Sequence, residues 1–473
     1  MKVNKVINYI LLLFLFLSIF FVRESLWIDE ATSANVVRNF SLIDIVNVYS
    51  RGDFHPPLYY LTLKLWSLVF GTTEIGIRSL SILFSLGTIV SVYLIGVKLK
   101  DKNLGLVSAL FLATGPLFVY YASEARMYSM VTFLVTLLIY FFIKLIDKPK
   151  TIDWFWFSVI LSCVFLTEYL GLFVLPAFFL YAYQLKKKKK WWSVFLKSHI
   201  VLLFVFAGWF SIFQEQLGRG LGVKVMNSNW WNVLGVVSLK NVALFPVKLM
   251  IGRIGFDNKF LYGAIIVTIG ILFAFLIRIA LAREKKAFIL VYWLVVPVLV
   301  AVLISFKISI LTYFRFIYVL PAMYLLIGWG LISLKEKYFL PVLVTLLLFN
   351  FSSIAIYLKN EKFHREDWRG LTEFVSGESV GKEYKLIFVH DSQMEAVKYY
   401  TPEMPVEGPG GIESNLKIIW LMRYVSDIYD KDDSVLNSIV SLGYVKTTEY
   451  SFNKLPVWKF EKIEEQKMEE NQK

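Results

Sequence analysis

Residues 6–22 read VINYILLLFLFLSIFFV, seventeen residues without a charge, preceded by Lys2 and Lys5. A membrane-barrel strand would alternate in polarity over a segment of ~10 residues, whereas this run is apolar on every side, a pattern that lipid accepts only as a helix. Runs of the same kind recur near residues 77–97, 104–122, 127–146, 155–171, 172–185, 191–213, 260–280, 287–305, 313–333 and 338–357. Most approach the ~20 residues that cross a bilayer. Of 473 residues, 57% are hydrophobic and 18% charged, with a mean hydropathy of +0.60, a balance that excludes a soluble enzyme. The expected class is an all-α polytopic membrane domain of about eleven transmembrane helices over residues 1–358, with a small C-terminal α/β domain over residues 359–473.

Charge divides unevenly along the chain. The whole carries 50 Lys and Arg against 36 Asp and Glu, but residues 359–473 carry 16 against 21. The basic excess therefore belongs to the membrane part, where it orients loops and meets anionic lipid or phosphate rather than nucleic acid. A positive flank stays cytoplasmic, so Lys2 and Lys5 put residue 23 onward outside. With that start, the lysine-rich loops at Lys98 to Lys102, Lys144 to Lys150, 186–190, Arg278 to Lys286 and Lys335 to Lys337 all fall on the cytoplasmic side. Residues 56–70 are apolar but short and read as an interfacial or re-entrant helix. Eleven spans leave the tail outside the plasma membrane. The long outer segments 23–76, 214–259 and 359–473 are where chemistry is expected. No small-residue cleavage site follows Phe21, so the first run reads as a retained span. Cys163 is the single cysteine, which rules out an intrachain disulfide and a cysteine metal site.

The tail has charges every few residues and alternates helix and strand patterns. Helices are expected at 367–375, 395–400 and 430–442, strands at 385–389 and 416–421, and paired strands within 447–460. Gly408-Pro409-Gly410-Gly411 is a turn cluster without phosphate-loop spacing.

Polar residues in the outer segments carry the chemistry. The first loop opens LWIDEAT, with Asp29 and Glu30 directly after a span. They either cap a helix, worth ~0.5 to 1 kcal/mol, or supply a general base at the membrane surface. Residues 53–60 read DFHPPLYY, where two prolines fix a bend after His55, itself either an interfacial side chain or a donor to phosphate. Residues 120–128, YYASEARMY, form a hairpin tip with Glu124 and Arg126, which either snorkel or serve a site. Arg315, within TYFRF, lies just inside the outer end of a span and needs water or an anion such as phosphate. Glu168, in TEY, sits where two spans meet, with a structural and a functional reading equally open.

The series LWIDE, HPPLYY, SEARMYS, RFIYVLP and EDWRG (residues 366–370) resembles the membrane-embedded GT-C glycosyltransferases of the protein-mannosyltransferase and aminoarabinose-transferase superfamily, in the same order and over most of the chain. The resemblance implies transfer of a sugar from a polyprenyl-phosphate carrier to a lipid, glycan or protein acceptor on the outer side of the membrane. Asp29 matches the family's catalytic carboxylate, with Glu30 as its neighbour; His55, Arg126 and Arg315 match residues near the carrier phosphate. Glu168 stands where many relatives have histidine, and Phe54 where aminoarabinose transferases have a carboxylate for metal. No metal ligand set is therefore assigned, although the family's chemistry leaves room for a divalent ion.

A single base without a covalent carboxylate implies inversion at the sugar carbon. The competing class is a lipid-linked sugar flippase or transporter. Such proteins show internal repeats and charges at mid-span, whereas here Glu and Arg gather at one face and no repeat is found. A membrane-anchored sensor built around the tail is a third reading.

Overall fold

The computed structural model describes residues 5–226, 229, 231 and 235–462. Among them, seven helices are long and apolar enough to cross a membrane: Glu74–Leu99, Tyr128–Asp147, Lys189–Val223, Lys259–Ala282, Lys285–Ser305, Tyr313–Ile332 and Glu336–Lys359. Another expected span is broken into Lys102–Thr114 and Pro116–Ala122, bent by 66°. The remaining three are shorter apolar helices, Lys5–Ile19, Thr151–Thr167 and Tyr169–Gln184, as is Leu58–Phe70, the helix expected at the interface. Every apolar run of the sequence is thus helical, although not every one is long enough to span by itself.

The chain separates into two compact units, Met1–Val22 with Phe40–Lys359, and Arg23–Asn39 with Asn360–Lys473. In the first, helix starts are set by local capping: Thr73 accepts a hydrogen bond from the Gly76 amide and Asp101 from Leu104, each worth ~1 kcal/mol. The helices joined by that turn pack closely, because a Cβ at Gly96 would lie 2.5 Å from Gly105 Cα. At the bend, Gly115 leaves space for Tyr324, whose hydroxyl would stand 2.5 Å from an added Cβ. Pro116 then starts the second piece without needing an amide partner. Ser85, Thr88, Thr132 and Thr136 return their hydroxyls to carbonyls four residues back, so these polar groups enter the bundle satisfied.

The second unit contains a five-stranded sheet: β1 (Tyr384–Phe388), β2 (Val406–Glu407), β3 (Ile418–Met422), β4 (Tyr444–Ser451) and β5 (Pro456–Lys462). Their order is β2-β1-β3-β5-β4, with β1 parallel to β2 and β3, and β5 antiparallel to β3 and β4. Ile387, Ile419, Leu421, Val435, Ile439 and Phe460 are buried together and form its core. Helices Trp368–Glu378, Glu395–Tyr400 and Ser434–Ser441 lie close to the expected positions. The third starts later than its sequence pattern because Asp430 accepts from Ser434 Oγ and the Val435 amide and acts as the stop before it. Residues 409–411 are one turn of 3-10 helix.

The segment that the sequence places in a single outer loop, 23–76, is shared by the two units. Its helix Ile28–Asn39 packs on Glu395–Tyr400 of the sheet unit: Asn35 Nδ2 donates to the Glu395 carboxylate (2.8 Å) and Arg38 to the Tyr399 carbonyl (3.1 Å). Residues 40–57 belong to the helical unit.

Candidate active site

In the helical unit, three of the residues singled out from the sequence, His55, Arg126 and Glu168, meet in one network. Residues 45–49 form a π-helical turn, an arrangement frequent at functional sites. The chain then passes Asp53, His55 and the two prolines into helix Leu58–Phe70. Tyr60, one turn into that helix and fully buried, donates to Asp53 Oδ2 (2.9 Å) and accepts from Arg126 Nη1 (3.2 Å). Asp53 Oδ1 stands 3.3 Å from His55 Nδ1, and His55 Nε2 stands 3.8 Å from Glu168 Oε2. Arg126, the Tyr60 phenol, Asp53, the His55 imidazole and Glu168 therefore form a continuous chain of polar contacts.

Burial by itself raises the Asp53 pKa. Interaction with the His55 ring, the charge of Arg126 and the hydrogen bond from the Phe54 amide together outweigh it, bringing Asp53 from 3.8 down to about 2. Asp53 is thus an anion that orients, and its proton is not available for catalysis near neutral pH.

The positions of these groups are fixed from outside the loop. Gln216, on the long helix Ile200–Met226, donates to the carbonyls of Ser50 (2.7 Å) and His55 (3.0 Å) and accepts from Tyr169, which in turn accepts from Trp209 (2.7 Å). Arg51 pairs with Glu215 on the same helix. Arg219 follows Gln216 by three residues, on the same helix face, and its Nε and Nη2 donors are enclosed without a hydrogen-bond partner among the described residues. A guanidinium left in that condition needs an anion.

Glu124 and Arg126 are both buried in the turn between Pro116–Ala122 and Tyr128–Asp147, where the Arg126 amide donates to the Glu124 carbonyl (2.8 Å). The surface-snorkelling alternative for this pair does not hold. Glu168 ends helix Thr151–Thr167 and accepts from the Leu170 amide (3.3 Å). Arg315 lies on the 3-10 segment Tyr313–Val319, three residues before Tyr318, whose hydroxyl donates to the Leu170 carbonyl (2.7 Å). The Arg315 side chain makes one long hydrogen bond, to the Ser309 carbonyl (3.4 Å), and no ion pair among the described residues.

Asp29 and Glu30 belong to the sheet unit. Both occupy the first turn of Ile28–Asn39, where the helix dipole favours them. Glu30 has no exposed surface and is paired with the buried Arg365 at 3.6 Å, whereas Asp29 remains partly exposed. The preceding residues are tied to the tail as well: the Leu26 amide donates to Tyr400 Oη (2.7 Å), and the Arg369 amide to Ser25 Oγ (3.1 Å). Of two adjacent carboxylates, Glu30 anchors and Asp29 stays accessible.

Asp53, Tyr60, Gln216 and Arg219 were not singled out in the sequence. Asp53 stands two residues before His55, and Gln216 and Arg219 share an i, i+3 spacing at the end of an apolar run; those are the signals that point to them. No group of three or more His, Cys, Asp or Glu side chains suited to a metal ion occurs among the described residues.

Over 96% of its length the chain superposes on 97% of ArnT from Cupriavidus metallidurans, with a TM-score of 0.65 at 12% identity. It has the GT-C fold. The same ArnT is known bound to undecaprenyl phosphate. The oligosaccharyltransferase of Archaeoglobus fulgidus, in complex with Zn and sulfate, matches with a TM-score of 0.57 at 11% identity, over 96% of this chain and 73% of that one. At these identities the likeness is one of fold. Residues 54–212 match the dolichyl-phosphate-mannose-protein mannosyltransferase family, a stretch that includes His55, Arg126, Glu168 and Trp209. Two uncharacterized proteins of Aquifex aeolicus are 28% identical over 265 residues and 29% identical over 167. The matched regions span 59% and 33% of those relatives' lengths.

Proposed function

We propose that this protein is a multi-pass plasma-membrane glycosyltransferase that moves a sugar from a polyprenyl-phosphate carrier to an acceptor on the outer side, with inversion. The observation that carries the reading is the Arg126, Tyr60, Asp53, His55 and Glu168 network within a GT-C fold. It holds a guanidinium and an imidazole in fixed positions, as recognition of a phosphate requires. Arg315 and Arg219 add guanidinium groups without acidic partners among the described residues.

In the proposed reaction the acceptor oxygen attacks the anomeric carbon, and the bond from that carbon to the phosphate oxygen breaks. The electron pair leaves with the polyprenyl phosphate, whose charge the cationic groups stabilise, and Asp29 takes the acceptor's proton. The N-terminus is then cytoplasmic and the tail outside.

The test is to give the purified protein a panel of polyprenyl-phosphate sugars and follow release of the free carrier by mass spectrometry. Release with transfer of the sugar supports the reading. Movement of the intact lipid-linked sugar across a vesicle membrane without carrier release would replace it by a flippase.

A further inference from the structure

In the helical unit, helix Leu239–Ile251 ends at Gly252, whose φ of 75° turns the chain sharply. The missing side chain also lets the chain pass Pro116, whose Cβ would stand 3.1 Å from an added Cβ. That turn delivers Arg253 to the wall of a cavity of about 10 Å³, shared with Phe21, Tyr120, Ile254 and Tyr357. The aromatic walls pack on one another: Phe21 stacks on Tyr357 (5.2 Å), and Tyr120 meets both edge-on (6.3 and 5.4 Å). The Arg253 guanidinium lies over the Tyr120 ring, 4.6 Å from its centroid, and its Nη1 donates to the Tyr120 hydroxyl.

That is the only hydrogen bond of this side chain among the described residues, and no carboxylate there pairs with it. Lys248, on the helix before the turn, donates to the carbonyl of Ile254 (3.2 Å) and likewise has no acidic partner among the described residues. Burial, and then the charge of Arg253, bring Lys248 down to about 8. From residue 216 to residue 256 the sequence has five basic residues and no acidic one, so the neighbouring chain does not supply the missing charge.

The walls come from the ends of membrane helices. Phe21 follows Lys5–Ile19, Tyr120 belongs to the second piece of the broken span, and Tyr357 lies in the last turn of Glu336–Lys359. These elements begin at Lys5, Lys102 and Lys337, so the cavity lies at the end of the bundle away from the lysine-rich turns, at the depth of the headgroups on that side. A void of this size has room for one water-sized group and none for a sugar ring. An anion that inserts one oxygen, while its body stays in the membrane, meets the charge, the size and the depth together. The guanidinium fork suits phosphate.

We propose that Arg253, supported by Lys248, is a phosphate-binding site additional to the His55 and Arg126 network, and that it takes the headgroup phosphate of a bilayer phospholipid. This site needs the membrane fold alone and not the transfer reaction.

The experiment titrates the full-length protein in detergent micelles with phosphatidylglycerol, with diacylglycerol as the uncharged control, and counts bound lipid by native mass spectrometry. Wild type should retain phosphatidylglycerol in preference to diacylglycerol. Arg253→Gln should weaken it by ~10-fold or more, the size of one charge-assisted hydrogen bond, with Arg253→Lys intermediate. Tyr120→Phe removes the same internal hydrogen bond but keeps the guanidinium, so it should keep the lipid even where its melting temperature falls. Equal loss of lipid in Tyr120→Phe and Arg253→Gln would make Arg253 a structural residue and overturn the site. So would a wild type that does not distinguish the two lipids, or an Arg253→Gln variant that binds phosphatidylglycerol as wild type does. Arg126→Ala should leave this titration unchanged; loss of the lipid there would assign it to the carrier network instead. Inorganic phosphate binding wild type as tightly as phosphatidylglycerol, and lost in Arg253→Gln, would keep the phosphate site and overturn the lipid as its occupant.

Discussion

Glu30 and Arg365 lie more than 300 residues apart in sequence and form an ion pair at 3.6 Å with both side chains buried. Removing one charge leaves the other enclosed and uncompensated, at a cost of ~3 to 5 kcal/mol. Glu30→Gln should therefore lower stability by about that amount, read as a drop in the denaturant midpoint of tail unfolding. Joint replacement of Glu30 and Arg365 by methionine should recover much of it. If Glu30→Gln instead kept its stability and lost turnover, Glu30 would belong to the chemistry.

Asp29→Asn keeps shape and removes the base. Turnover should fall by ~10² to 10⁴-fold, the usual size of a general-base contribution, with carrier binding and melting temperature retained. A variant keeping more than about a tenth of wild-type turnover would show that Asp29 is not the base.

The acid limb of stability should report Asp53. Its pKa is about 2 in the folded protein against 3.8 otherwise, so its contribution is fully present above pH ~4 and disappears as pH falls towards 2. The difference corresponds to at most ~2 kcal/mol. Melting temperature measured between pH 2 and 5 should therefore fall more steeply in wild type than in Asp53→Asn. Parallel curves would remove Asp53 from the network's energetics.

The Arg315 side chain makes one weak hydrogen bond and no ion pair among the described residues, so removing it should cost little stability. Loss of a charge-assisted contact to phosphate, ~2 to 3 kcal/mol, corresponds to ~30- to 150-fold in turnover for Arg315→Ala, with Arg315→Lys intermediate. If Arg126 holds the same phosphate, the double variant should fall short of additive. Unchanged turnover with a lowered melting temperature would make Arg315 a structural residue and leave the phosphate to Arg126, His55 and Arg219.

A cysteine placed in the tail, with Cys163 replaced, should react with an impermeant thiol reagent in intact cells. Labelling only after lysis would reverse the orientation derived from the loop lysines.

Much of the fold is legible in sequence because lipid imposes a single rule, that apolar runs become helices, and the tail's strands follow from local alternation. The ownership of Ile28–Asn39 is not legible: its ties to Glu395 and Tyr399 are made across more than 350 residues, and no local pattern records them. The same holds within the candidate site. His55, Arg126 and Glu168 stand out as charges beside apolar runs, but Tyr60 looks like any aromatic of a short apolar helix until its hydroxyl is seen between Arg126 and Asp53. Glu30 and Asp29 are equivalent as text and are distinguished only by Arg365, which takes one of them.

The split ownership of the first loop also imposes a schedule on biogenesis. Helix Ile28–Asn39 is synthesised early, yet its partners begin at Asn360, and at ~5 to 20 residues per second the ribosome needs roughly 15 to 65 s to cover the interval. During that wait Ala31, Ala34, Val36 and Val37, all buried in the finished protein, have nothing to pack against. A nascent chain stalled or truncated before the tail would present this helix unsheltered, a ready substrate for proteases that survey incomplete membrane proteins.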